Sequence, residues 1–182
     1  MKSVLLSIQP KWCALIASGK KTVEVRKTKP KLETPFRCYI YCTKGKPTFT
    51  QSAFCDDVAN GKVVGEFVCD KVVPFENSIY DEALRETVVR SCVPMYDLLV
   101  YIGKQDYGYG WHISDLVIYD NLRELSEFST VCEGLKPNQC DKCVYYFYES
   151  TEDGAYDECC CNNLKPLNRP PRSWCYVEDG EG

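Results

Sequence analysis

Histidine is nearly missing from this sequence: the 182 residues contain one, His112. A metal centre built from several histidines is therefore excluded by arithmetic. Long apolar runs are missing too. No stretch approaches the roughly 18–20 residues needed to span a bilayer, and Val4-Leu5-Leu6 is too short for a signal-peptide core before the polar Gln9-Pro10-Lys11. The expectation is a soluble, unexported, cytoplasmic protein with no membrane partner. There is no repeat and no low-complexity block. Core material, by contrast, is not lacking. At 45% hydrophobic and 13% aromatic residues, disorder is excluded for most of the chain, and the length suits one domain with an elaboration or two small ones.

A net positive charge, the usual mark of a nucleic-acid binder, is also absent: 22 Lys+Arg stand against 26 Asp+Glu, for a formal charge of -4. That sum hides a split. Residues 1–50 hold eleven basic groups and two acidic ones, a balance of +9, whereas residues 51–182 hold eleven against 24, or -13. Such asymmetry points to a polyanion-binding surface built mainly from the N-terminal segment.

The element pattern is mixed. Ser3–Ile8 reads as a short strand, and Pro10 suits the first turn of a helix through Ala17 that Gly19 stops. Lys21–Arg26 alternates as a half-buried strand, with Thr22, Glu24 and Arg26 on one face and Lys21, Val23 and Val25 on the other. Phe36–Cys42 is a third strand. Lys62–Val73 is long enough to be a central strand, with Gly65 marking a bulge or a close approach. Helices are predicted over Asp81–Arg90 and Pro94–Ile102. A strand follows the Gly108–His112 stretch, then a short helix at Leu122–Phe128 and a last strand at Ser173–Val177. Strand, helix and then many strands of uneven spacing make an α+β protein with a curved or closed sheet.

Of thirteen cysteines, twelve fall into two populations. Cys13, Cys38, Cys42, Cys55, Cys69 and Cys92 are scattered singly, as small buried side chains are. Cys132, Cys140, Cys143, Cys159, Cys160 and Cys161 crowd into 30 residues. An odd count without a secretion signal argues against a disulfide framework. The Cys140-x-x-Cys143 spacing lets two thiolates converge on one ion, and the separation to Cys159 falls in the range of zinc-ribbon loops. The preferred reading is a structural zinc held by Cys140, Cys143, Cys159 and Cys161, with Cys132 as a substitute for either of the last two. Unligated thiols, a disulfide or an iron–sulfur cluster are the alternatives.

Gly19, Lys21, Glu24 and Arg26 form the pattern Gly-x-Lys-x-x-Glu-x-Arg at a helix-to-strand junction, preceded by Leu6-Ser7-Ile8-Gln9-Pro10. Together these resemble the ASCH family of PUA-like β-barrels. The resemblance implies a small barrel whose cleft is lined by the motif and is associated with RNA or modified nucleotides. Lys21 and Arg26 would offer a point charge and a planar fork to phosphate or a base edge, and Glu24 would hold the guanidinium or accept from a nucleobase amine. An ordinary surface ion pair is the plain alternative. The family resembled also includes amidohydrolases acting on N-acylated cytidine, and some relatives are ribonucleases. Those amidohydrolases pair the motif lysine with a hydroxyl residue where Glu24 stands here, and use a further glutamate, for which Glu66 is the candidate. A hydrolytic site would thus comprise Lys21, Glu24 and Glu66. Trp111 could offer a stacking face and His112 a rim group, or both could simply pack.

The organisation expected is a PUA-like barrel over 1–128 flanked by short helices, a zinc-binding insertion over 129–168, and a final barrel strand and tail over 169–182. The leading function is binding of RNA or a modified nucleotide through Lys20, Lys21, Glu24, Arg26, Trp111 and His112, with Lys11, Lys20, Lys27, Lys29 and Arg37 on phosphates. Hydrolysis at the same cleft, or protein interaction through the zinc segment, are the rival readings.

Overall fold

The computed structural model describes residues 2–45, 59–131 and 164–178, the Val131 side chain excepted. Strand β1 (Lys2–Ile8) is buried at five of its seven positions, as its unbroken apolar run requires of a central strand. It lies parallel to β3 (Phe36–Cys42) and antiparallel to the C-terminal strand β8 (Trp174–Glu178), which pairs from Leu6↔Trp174 to Lys2↔Glu178. Strand β3 is followed in the sheet by β4 (Val63–Glu76) and β5 (Tyr107–Arg123), and β5 carries β2 (Val23–Arg26) on its outer edge. On the other side of β8 come β6 (Ser129–Val131) and β7 (Leu164–Pro166). The order is β2-β5-β4-β3-β1-β8-β6-β7, so among the described residues β2 and β7 are edges and the sheet does not close. Of the two expected forms, the curved one holds and the closed barrel does not. Both edges are short, and β7 ends in Pro166, which cannot donate to a further ladder.

The sheet nevertheless curls back on itself. Trp111 of β5 packs against Trp174 of β8 with ring centroids 5.9 Å apart and against Phe36 of β3 at 5.6 Å. Inside that curl lie Val4, Leu6, Ile8, Cys38, Ile40, Phe67 and Cys69, together with Cys13 and Ile16 of helix α1 (Pro10–Ala17). The opposite face of the central strands packs Leu5, Tyr39, Tyr41, Val63, Phe128 and Val177. Helices α2 (Glu82–Ser91) and α3 (Met95–Ile102) form a third cluster with Val25 and Phe75. Asp81 caps α2 by accepting from the Leu84 amide at 2.6 Å.

One expectation on local structure changes and another holds. The short helix at Leu122–Phe128 shrinks to a 3-10 turn at Leu125–Glu127, because β5 continues through Arg123 in register with Val63. Gly65 does sit at a register irregularity, and a Cβ there would collide with the Val117 carbonyl oxygen. Of the scattered cysteines, Cys13, Cys38, Cys42 and Cys69 are each at most 2% exposed, Cys92 is only partly buried, and Cys55 lies outside the described residues. Burial pushes the Cys69 thiol up to about 12 and the Cys38 thiol well above its ordinary value.

Candidate functional site

Gly19, at φ +72°, turns the chain out of α1 without the steric cost other residues meet there. The Lys21 amide then donates to the Leu15 carbonyl at 3.0 Å, which sets Lys21 just ahead of β2 and not within its alternation. From there the lysine turns inward. Its Nζ donates to the carbonyls of Val23 at 2.9 Å and Ser91 at 3.0 Å and lies 3.2 Å from Glu24 Oε2. Two carbonyls and one ion-paired carboxylate thus surround the ammonium.

Arg26 completes the group. Its Nη2 lies 3.1 Å from Glu24 Oε1 and donates to the Ser7 carbonyl at 2.9 Å, while Nη1 is 3.5 Å from Ser173 Oγ. Strands β2 and β1 are four places apart in the sheet order, so this side chain bridges the gap that backbone pairing leaves open. Glu24 is therefore the hinge of a Lys21–Glu24–Arg26 triad, and the three residues are 2%, 6% and 6% exposed. All four residues of β2 are buried. The half-exposed strand expected from alternation is corrected: its polar face turns into the gap, where the ion pairs take the place of water.

The triad forms the floor of a cleft of about 560 Å³. One wall comes from the end of β1 and the start of α1, with Gln9, Lys11 and Trp12. Another comes from α3, with Asp97, Leu98 and Tyr101. The third is the lead into β8, Pro171-Arg172-Ser173. Ser7 Oγ donates to the Pro171 carbonyl at 2.6 Å, which fastens that lead to β1. Trp12 is partly exposed, with the Lys11 ammonium 4.3 Å and the Lys21 ammonium 5.4 Å from its ring centroid. Two buried polar atoms of the floor are left over: Glu24 Oε2 and Arg26 Nε have no hydrogen-bond partner among the described residues, although the former keeps its ion pair with Lys21. Such an atom costs about 1–3 kcal/mol when buried, and native structures leave few of them without a reason.

Several expected residues lie elsewhere. Trp111 is fully buried, so it builds the core behind the triad and offers no stacking face to a ligand. His112, next along β5, points to the other face, opposite Val23. Partial burial, reinforced by Lys71 and Arg90, lowers its pKa. Glu66 also faces away: Phe67 takes the inner face, while Glu66 accepts from Tyr119 Oη at 2.5 Å and lies 3.9 Å from Arg37. The glutamate and Arg37 are thus outside the cleft, as is the exposed Lys20. Thr22 does not line it either. Cys132, Cys140, Cys143, Cys159 and Cys161 lie outside the described residues, among which no group of three or more His, Cys, Asp or Glu gathers to hold a metal.

Trp12 and Tyr101 are the aromatic cleft residues that sequence reading missed. A tryptophan flanked by Lys11 at the start of a helix was the available signal for the first. Tyr101 gave none, since its apolar helix reads as core. Arg172 also lines the cleft.

A family model described as the ASCH domain matches residues 6–138. Among solved structures, the ASCH protein of Zymomonas mobilis aligns with a TM-score of 0.52 at 19% identity, covering 68% of this chain and 73% of that one. A tyrosine-to-phenylalanine variant of the Zymomonas mobilis protein aligns at 0.52 with 20% identity, covering 69% of this chain and 77% of its own. A serine-to-alanine variant aligns at 0.51 with 20% identity, covering 68% and 74%. At these identities the likeness establishes the fold. No functionally curated protein matches.

Proposed function

The chain belongs to the ASCH domain family, and from that premise we propose that its cleft binds RNA or a modified nucleotide, the base edge reaching the triad and the phosphate resting on the basic rim. One observation carries this reading. A buried acceptor and a buried donor, Glu24 Oε2 and Arg26 Nε, are left over on the floor of a cleft whose rim holds Lys11 and Arg172 and whose wall holds the partly exposed Trp12. A nucleobase presents N–H and C=O groups on one edge, a π-face for an indole and an attached anion. Lys11 and Arg172 are exposed and serve a phosphate as the triad cannot.

Binding fits these residues better than hydrolysis does. Lys21 is held by two backbone carbonyls and its ion pair with Glu24, Glu66 is outside the cleft, and no threonine or serine stands at position 24 to act as a nucleophile. The test is fluorescence anisotropy with single-stranded RNA over a range of salt. Affinity should fall as salt rises, and Trp12→Ala should weaken it by about 1–3 kcal/mol, the value of one stacked base. Binding that is absent, or indifferent to salt and to Trp12, removes the proposal.

A second proposal concerns the cysteine-rich stretch. Strands β6 and β7 pair from Ser129↔Pro166 to Val131↔Leu164, so the chain leaves the sheet and re-enters it at one place. The spacing of Cys140, Cys143, Cys159 and Cys161 within the intervening residues favours a four-thiolate structural zinc there, with Cys132 as a possible replacement ligand.

A further inference from the structure

We propose that the ligand strand does not end in the cleft but leaves it over Tyr101 and Lys27 into a second, basic groove, so that the physiological partner is a single-stranded oligonucleotide rather than a free nucleoside or mononucleotide. This rests on the nucleotide reading of the cleft and extends it. The second groove, of about 520 Å³, is lined by Lys27, Thr28, Lys29, Lys104, Tyr107 and Tyr109, with Gln105 and Asp106. Among the described residues it sets three lysines against one carboxylate.

The two grooves share a boundary. Arg26 is on the floor of the cleft, and Lys27 follows it directly. Tyr101 lines the cleft, and the Lys27 ammonium lies 5.1 Å from its ring centroid. Beyond that boundary the same arrangement recurs: Lys29 sits 6.0 Å from the Tyr109 ring centroid. Register explains the pairing, because Arg26 at the end of β2 stands opposite Tyr109 on β5, which brings the chain after Arg26 across the tyrosine. The loop that carries the lysines is tied down. Trp174 Nε1 donates to Thr28 Oγ1 at 3.1 Å, and the Lys31 amide donates to Tyr176 Oη at 2.6 Å.

Alternating cations and aromatic rings along a groove answer the repeat of a single strand, in which phosphates alternate with bases and every base has a π-face. Tyr107, half exposed, continues the series beside Lys104. A duplex would hide the base faces that Tyr101, Tyr107 and Tyr109 would meet. An acidic peptide would satisfy the lysines without using the rings.

The experiment measures binding of a mixed-sequence RNA octamer, the four nucleoside 5′-monophosphates and an octameric poly-glutamate peptide to the full chain. The paired variant Lys29→Glu/Lys104→Glu changes two exposed side chains outside the cleft; Arg172→Glu changes the cleft rim. The octamer should bind at least tenfold tighter than any monophosphate. The paired variant should cut octamer affinity about tenfold or more, lower its salt slope by about 1.4, two phosphate contacts at 0.7 each, and leave monophosphate binding unchanged. Octamer binding that responds to Arg172→Glu but not to the paired variant, or an octamer no tighter than a monophosphate, overturns the second groove and leaves the cleft reading standing. No RNA or monophosphate binding at all overturns the cleft reading and this inference with it. Poly-glutamate binding equal to that of the octamer overturns the strand as partner.

Discussion

Glu24 neutralises two cations at once, and its own burial is tolerable only because both are present. With Lys21 and Arg26 each more than nine-tenths buried, removing the carboxylate leaves two like charges facing each other out of water. Breaking a buried pair in this way costs about 3–5 kcal/mol, so Glu24→Ala should lose stability of that order in urea unfolding; a loss under about 1 kcal/mol, the range of an exposed pair, would show that water reaches the triad. The identity of these residues was legible in the sequence, since Gly-x-Lys-x-x-Glu-x-Arg sits at a helix-to-strand junction. Their burial was not. Strand alternation assigns Lys21 and Glu24 to opposite faces, and only the turn at Gly19 brings the ammonium to the carboxylate.

At the scale of elements, β4 and β5 frame the molecule, and their pairing is interrupted near Val63/Gly65, Glu66/Val68 and Cys69/Val72. Such irregularities bend a strand, and bending is what carries β5 round until Trp111 meets Trp174 and β2 comes opposite β1. Gly65 occupies the first interruption because the Val117 carbonyl oxygen and Ile118 stand where a Cβ would go. Gly65→Ala should therefore destabilise the fold by about 1–3 kcal/mol, the range for overpacking a tight site, measured by denaturant unfolding at unchanged m-value; a shift within a few tenths would mean the bend does not depend on that contact. A glycine within an apolar strand was readable as a bulge or close approach. The length of β5 was not readable, because its glycine-containing start at Tyr107–His112 reads as a loop and its end at Leu122 as the beginning of a helix until β4 is seen to pair with both.

For the whole molecule, the formal charge of -4 conceals the basic N-terminal stretch that supplies Lys11, the triad's two cations and the second groove's Lys27 and Lys29. The proposed zinc segment lies in the acidic remainder. Metal analysis of reduced, folded protein purified without added metal should give close to one zinc per chain, as a single four-thiolate site requires, and Cys140→Ser should lower it; a value near zero refutes the site. The family, the α+β class, the triad's members and the clustering of cysteines follow from local order along the chain, which fixes spacing, period and turn chemistry. Which groups share a cleft was decided only by the curl of the sheet. Neighbours in sequence alternate across a strand, so Trp111 and His112 part to opposite faces and Glu66 turns away, while Trp12, Tyr101 and Arg172, far apart in the chain, meet over Arg26. Sequence period states that two side chains share a face of one strand; it holds no term for the curvature that brings one end of a sheet to the other.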